Sequence, residues 1–345
     1  MFLGTSSAVP KPRKRNTSGM ALCLSSGSVI LVDCGEATQH QIMLTRGQVK
    51  MGKTIAILIT HLHGDHCFGI FGLLCTLGQS LAAKPELACL CIVGPVGVQE
   101  MVETVLRLSD SHLPFSLKFI ELDHSQGQSI DLDSSLFEGF SVSAYPLTHR
   151  IPAFGYKIVE PEKRGKFDVA KAKELGVLDN RLFRELTSGK PVSSVSGATV
   201  TPEQVLGPSR AGRKFLIVQD TCESKSIESD PSCHDPFLVI HEATYDKSLT
   251  EKCISHGHST AEMAGVFARK IGARNLILTH FSSRYGDESE EESKEGIDCL
   301  IKECCEVYSS ITGKIVAAQD FMVVDTSTPF EITTSLLDTS SKSQA

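Results

Sequence analysis

The chain has 345 residues, 41% of them hydrophobic and 22% charged, with a formal net charge of −7. That composition is globular, enough for one large domain or two ordinary ones, and the acidic balance argues against a dedicated nucleic-acid packaging role. No apolar run reaches the roughly 18 residues of a membrane span, "MFLGTSSAVP" lacks the marks of a secretory leader, and the twelve cysteines contain no CxxC pair, which excludes membrane-spanning, disulfide-scaffold and zinc-ribbon classes.

In chain order, the N-terminus reads as a strand followed by a basic loop, "KPRKRN" at 11–16. Six apolar runs then share one pattern. "SVILVD" ends at Asp33, "TIAILITH" at His61, "FSVSAYPLTH" at His149, "KFLIVQD" at Asp220, "FLVIHE" at His241 and Glu242, and "NLILTH" at His280. Each strand delivers a titratable or metal-competent side chain at its carboxyl end, where layered α/β folds gather their sites. Amphipathic helices are predicted over "VGVQEMVETVLRLSD" and "STAEMAGVFARKIGA", the second opening with Ser259 and Glu262 at capping-box spacing. Strands dominate the first half and alternate with helices later, which predicts two sheets sandwiched between helices. Residues from about 159 to 213 turn polar and basic and read as an arm inserted in a single domain, 1–326, while the Ser/Thr-rich stretch 327–345 reads as a disordered tail. Cys23, Cys34, Cys67, Cys75, Cys89, Cys91 and Cys299 lie in or beside apolar runs and read as buried thiols of a reducing compartment, cytosol or nucleus.

The densest chemistry is "THLHGDHCFGI" at 60–70, where His61, His63, Asp65 and His66 follow a buried strand. Desolvating three imidazoles and a carboxylate on one turn is costly without a cation. Alternation lets His61 and His63 grip one ion while Asp65 and His66 turn toward a second. If the strand ends meet, His149 completes the first group, His280 the second, and Asp220 bridges them with its two oxygens. Histidine and carboxylate donors without thiolate suit two zinc ions, with manganese as the alternative. Two such ions roughly 3.5–4 Å apart hold a hydroxide and clamp a phosphodiester in line, so the reading is a hydrolase.

This turn, with its separated His, Asp and His, resembles the metallo-β-lactamase fold, an αββα sandwich. More closely, the chain resembles the tRNase Z family in its short form. "FLGTSSAVP", "DCGEATQ", "FDVAKAKELGV", "VTPEQVLGP", "HEAT" at 241–244, "HST" at 258–260 and "LTHFSSRY" at 278–285 carry the resemblance over nearly the whole chain. It implies a zinc-dependent endoribonuclease that removes 3′ trailers from precursor tRNA, leaves a 3′-hydroxyl, and works as a homodimer in which one subunit's arm serves the other's site. Asp65 is then the proton acceptor for the attacking water as well as a ligand. His258, oriented by Glu242, is the acid that protonates the departing ribose oxygen.

Asp33 is read as holding a ligand histidine in one tautomer, and His241 as sharing the His258 network. Lys14, Arg15 and Asn16 match the family loop that discriminates the tRNA 3′ end. The arm's Lys163, Arg164, Lys166, Lys171, Lys173 and Lys190 would grip tRNA phosphates, with no membrane or DNA partner expected. Where the family arm carries a Gly/Pro-rich knuckle, this chain has "LDNRLFREL", a departure that alters the expected docking. His40, His112, His124, His234 and His256 read as ordinary polar histidines. Two other readings share these residues: a small-molecule phosphodiesterase or thioester hydrolase of the same fold, and a catalytically weak tRNA-binding or dimer-partner homologue.

Overall fold

The computed structural model describes residues 1–11, 14–81, 89–286, 296–308, 313–326, 332–337 and 339. The chain forms two compact units, Met1–Ile158 with Lys214–Ala345, and Val159–Arg213. In the larger unit the first sheet follows chain order: Phe2–Gly4, Gly19–Cys23, Val29–Cys34, Thr54–Leu58, Cys89–Pro95 and Ser116–Leu122. Its first three strands are antiparallel and its last four run parallel. The second sheet runs Ile315–Ala317, Leu276–Thr279, Leu238–Glu242, Lys214–Val218, Ala153–Val159, Ser141–Leu147 and Ile130–Leu132, and the first four of these are parallel.

Successive side chains of a strand point to opposite faces. Ile30 and Val32 therefore enter the core between the sheets with Val142, Phe154, Ile217 and Ile277. Their neighbours Val29 and Leu31 pack instead with Leu73, Leu77 and Val102 of the helices Ile70–Leu81 and Val98–Leu108. The second sheet behaves alike: Leu216 and Val218 meet Ala264, Phe267 and Leu300 of the helices Ala261–Lys270 and Ile297–Val307. The result is a helix–sheet–sheet–helix stack. Strands buried on both faces read as unbroken apolar runs, and each fully buried Leu, Ile or Val adds about 1.5–3 kcal/mol. That rigid platform gathers the carboxyl ends of the parallel strands at one rim.

The helix Ala261–Lys270 is capped by Thr260, whose side chain accepts from Met263 N at 3.2 Å, rather than by Ser259, whose hydroxyl donates to Thr221 O. The tail is not disordered where described. Thr333–Leu336 pairs antiparallel with Met322–Asp325, in keeping with its β-prone threonines. Residues 327–331, 338 and 340–345 lie outside the described residues. All twelve thiols are free, and Cys34, Cys67 and Cys91 are buried as expected. Cys23, Cys75 and Cys89 are exposed instead: Cys23 and Cys89 sit at the outer ends of their strands. Among the described residues no helix is long and apolar enough to cross a membrane.

The smaller unit has its own core of Ala172, Val177, Leu186, Val192, Val200 and Val205. At its two ends Arg213 grips Glu160 with two bonds, 2.7 Å from Nε and 2.6 Å from Nη2. The sequence that replaces the Gly/Pro knuckle is a helix, Asn180–Thr187, capped by Asp179, whose carboxylate accepts from Arg181 N at 2.8 Å. Lys163, Arg164, Lys166, Lys171, Lys173 and Lys190 are all exposed.

Candidate metal centre

The chain stays extended past the strand Thr54–Leu58 as far as His63, at φ −68° and ψ 147°, and the short helix Gly64–Cys67 follows. Extended alternation puts His61 and His63 on one side, and the helical turn swings Asp65 and His66 toward another. In the first group His63 Nδ1 lies 3.0 Å from His61 Nε2 and 3.1 Å from His149 Nε2. Asp220 Oδ2 lies 3.5 Å from His61 Nε2 and 3.9 Å from His149 Nε2. In the second, His66 Nε2 and His280 Nε2 stand 3.1 Å apart, each 3.5 Å from Asp65 Oδ2. Asp220 Oδ1 is 3.3 Å from His66 Nε2 and 3.2 Å from His280 Nε2.

Donors about 2.0–2.1 Å from a tetrahedral zinc sit roughly 3.3 Å apart, the spacing these atoms approach. Asp220 Oδ1 is buried with no hydrogen-bond partner, an atom that a cation would satisfy. Imidazole nitrogens and carboxylate oxygens fit divalent ions on both sides of Asp220: His61, His63 and His149 would hold one, and Asp65, His66 and His280 the other.

Charge is arranged to match. Burial holds His61 well below its ordinary pKa, and burial likewise lowers His63 and His149, so these rings offer lone pairs. Burial works against the ionised carboxylates of Asp65 and Asp220, but the neighbouring histidines outweigh it and hold both well below the usual range. His66 is pulled the other way: burial opposes its charge, while Asp220, Asp33 and Asp65 raise its pKa. That surplus of negative charge is what a divalent cation neutralises.

The supporting contacts fix each ring. Asp33 Oδ2 lies 2.7 Å from His66 Nδ1, and Asp33 Oδ1 accepts from Thr60 N at 2.8 Å. Thr60 Oγ1 stands 3.1 Å from His61 Nδ1, so one aspartate steadies a ring in each group. His149 Nδ1 donates to Gly257 O at 2.6 Å. Glu242 Oε1 accepts from Thr221 N at 2.7 Å and faces His258 Nδ1 at 3.2 Å, and Thr244 Oγ1 joins Glu242 Oε2 to His280 Nδ1, the latter at 2.9 Å. Burial disfavours a charged His258, but Glu242 and Asp220 prevail and push its pKa up to about 9. Asp33 and His280 both sit at φ 60°, a left-handed backbone that Asp and His tolerate better than most residues.

His241 does not share this network. Strand alternation turns it to the opposite face from Glu242, where its ring lies 5.1 Å from Phe267 and Nδ1 bonds Glu242 O. Thr60, Thr244 and Gly257 escaped the sequence reading because a threonine hydroxyl and a backbone carbonyl leave no pattern of their own; the place of Thr244 inside "HEAT" was the one available signal. A cation–aromatic cluster was missed as well: the Tyr245 ring lies 6.2 Å from that of His258, with Arg284 at 5.2 Å and Lys252 at 6.0 Å over it. His112, His124, His234 and His256 each bond a backbone carbonyl.

A family model described as anti-Pycsar protein Apyc1 matches residues 1–93. Human zinc phosphodiesterase ELAC protein 1 is 36% identical, over 94% of this chain and 97% of that protein. Ribonuclease Z of Nostoc punctiforme (strain ATCC 29133 / PCC 73102) is 37% identical, over 93% and 94%. This chain belongs to the ribonuclease Z family. The crystal structure of human tRNase Z, short form (ELAC1), is similar at a TM-score of 0.63 and 29% identity, covering 94% of this chain and 98% of that one. The architecture is that of the metallo-β-lactamase fold.

The loop that the ribonuclease Z resemblance marked for substrate contact is only partly available. Arg15 is 6% exposed: Nη1 donates to Thr5 Oγ1 at 2.7 Å and Ala318 O at 2.8 Å, and the guanidinium lies 5.0 Å over Phe281. Asn16 turns its amide to Glu36 O at 2.8 Å. Both side chains bond within the protein, Arg15 from a buried position, whereas Lys14 and Asn16 are partly exposed.

Proposed function

We propose that the protein is a metal-dependent endoribonuclease that removes 3′ trailers from precursor tRNA, leaving a 3′-hydroxyl on the tRNA. The observation that carries this reading is the carboxylate of Asp220, one oxygen toward each histidine group, beside the paired His258 and Glu242. When bound, two zinc ions, or manganese in their place, supply the positive charge that activates water and neutralises the phosphate.

The residues of the chain do the rest. Asp65, its Oδ2 fixed by the Ala8 N–H at 2.7 Å, orients the attacking water and takes its proton. As the new P–O bond forms, the bond from phosphorus to ribose O3′ breaks and the 5′-phosphate stays on the trailer. His258 has Nδ1 against Glu242, which leaves Nε2 to give O3′ its proton. Lys14 and the exposed lysines and arginine of the 159–213 unit hold phosphates of the tRNA body without reading sequence. The relatives named ribonuclease Z and tRNase Z support the tRNA substrate. The same kinship favours a homodimer, and the twelve free thiols favour cytosol or nucleus.

The test is incubation of the purified protein with a 3′-extended precursor tRNA, with end mapping and a chelator control. A chelator-sensitive cut beside the discriminator base supports the proposal. Intact tRNA alongside metal-dependent hydrolysis of a small phosphodiester would transfer the site to a small-molecule substrate.

A further inference from the structure

The carboxylate of Asp320, far along the chain from the histidine groups, closes the base of the loop 5–16. Its Oδ2 accepts from Asn16 N at 2.6 Å and Gln41 Nε2 at 3.0 Å, and its Oδ1 from Thr5 Oγ1 at 2.8 Å. The same base is stitched by Thr5 N and Ser6 N to Asn16 O, at 2.9 and 2.8 Å, and by Arg15 to Thr5 Oγ1 and Ala318 O. From there residues 6–9 have little freedom. Ser7 N donates to Phe281 O at 3.0 Å, one residue past His280, and Ser6 Oγ donates to Val9 O at 2.7 Å. Held on both sides, the Ala8 N–H points at Asp65 Oδ2, the oxygen that faces His66 and His280.

We infer that Asp320 is a positioning residue for the second histidine–carboxylate group: by clasping Thr5 and Asn16 it places the Ala8 amide that sets the rotation of Asp65. Freed of that amide, Asp65 turns, and one donor of the second group is lost while the first group is untouched. The inference rests on the reading of Asp65, His66, His280 and Asp220 as a cation site.

The test uses the full chain loaded with zinc or cobalt(II), dialysed against graded chelator, with metal counted by mass spectrometry and the cobalt absorption bands followed. Wild type, Asp320→Ala, Asp320→Asn, Thr5→Val and Met322→Ala are compared. Met322 is a buried core residue nearby that makes none of these side-chain bonds, so Met322→Ala reports plain destabilisation. Asp320→Ala and Thr5→Val are expected to bind one of about two ions some 10- to 100-fold more weakly, the usual cost of losing an outer partner of a ligand. Asp320→Asn, which keeps one acceptor oxygen, should recover part of the loss. Met322→Ala should melt earlier yet keep both ions. Retention of both ions by Asp320→Ala and Thr5→Val overturns the inference, as does equal ion loss in Met322→Ala. A wild type that holds a single ion or none overturns the dinuclear reading itself, and the inference with it.

Discussion

The carbonyl of Gly257 accepts the Nδ1–H of His149 at 2.6 Å, and a Cβ built on Gly257 would stand 2.7 Å from that same nitrogen. Gly257 also has φ +74°, a conformation that strains any residue with a side chain. Gly257→Ala therefore pushes His149 out of the first group in addition to straining the turn. Metal affinity should fall about 10- to 100-fold, read by chelator competition, with the protein still folded by circular dichroism.

Asp33 makes a different prediction. Asp33→Asn keeps the shape and the tolerance for positive φ, but its amide must turn an N–H toward either the His66 Nδ1–H or the Thr60 N–H. Orientation of His66 weakens, and the second group should again lose about 10- to 100-fold in affinity. An unchanged zinc titration would show that His66 needs no such partner.

His258 must be protonated to act as the acid, so on the alkaline side activity should fall as pH rises through its pKa. Glu242 and Asp220 raise that pKa from 6.5 to about 9, and a cation at Asp220 would cancel that carboxylate's share. The alkaline limb of kcat is thus expected between those two values. Glu242→Gln should move it to lower pH, because the remaining charge that stabilises the imidazolium is gone. His258→Ala should cost about 10²- to 10⁴-fold in kcat with metal content unchanged.

The exposed cations of the 159–213 unit carry a prediction of another kind. Lys163→Glu, Arg164→Glu and Lys166→Glu together should raise KM for precursor tRNA and flatten its salt dependence, while hydrolysis of a small phosphodiester stays within about twofold. A protein evolved for a small substrate would show no change in either assay.

Arg15→Ala should lower stability by about 1.5–3 kcal/mol, the worth of a hydrogen bond to a buried charged group, with KM for tRNA nearly unchanged. Lys14→Ala should raise KM for tRNA, the loss expected of a partly exposed phosphate contact. Denaturant midpoints and steady-state kinetics on the two variants separate the roles.

Much of this was legible before any coordinates. The side chains of the two groups stand just past strand ends or, for Asp65 and His66, in the short helix that follows one, and few residue types can bind a cation, so His61, His63, Asp65, His66, His149, Asp220 and His280 stood out by chemistry and position together. The four-layer fold was legible in strands that dominate the first half and alternate with helices later. What escaped was whatever acts through the backbone or through direction. The Ala8 amide and the Gly257 carbonyl belong to every residue and mark none. His241 was grouped with Glu242 because they adjoin in sequence, whereas a strand sends neighbours to opposite faces. Arg15 read as a substrate contact, since nothing local announces that Ala318 and Phe281 will receive it from across the chain.

The 159–213 unit leaves and rejoins the second sheet between the neighbouring strands Ala153–Val159 and Lys214–Val218, and has a core of its own. Closing a longer or looser loop at that point costs little, since the entropic penalty rises only with the logarithm of length. Its helices can therefore melt as a local unit while both sheets stay folded. On warming, such a protein would lose the unit proposed to grip tRNA before it lost the platform of the phosphodiester-breaking site.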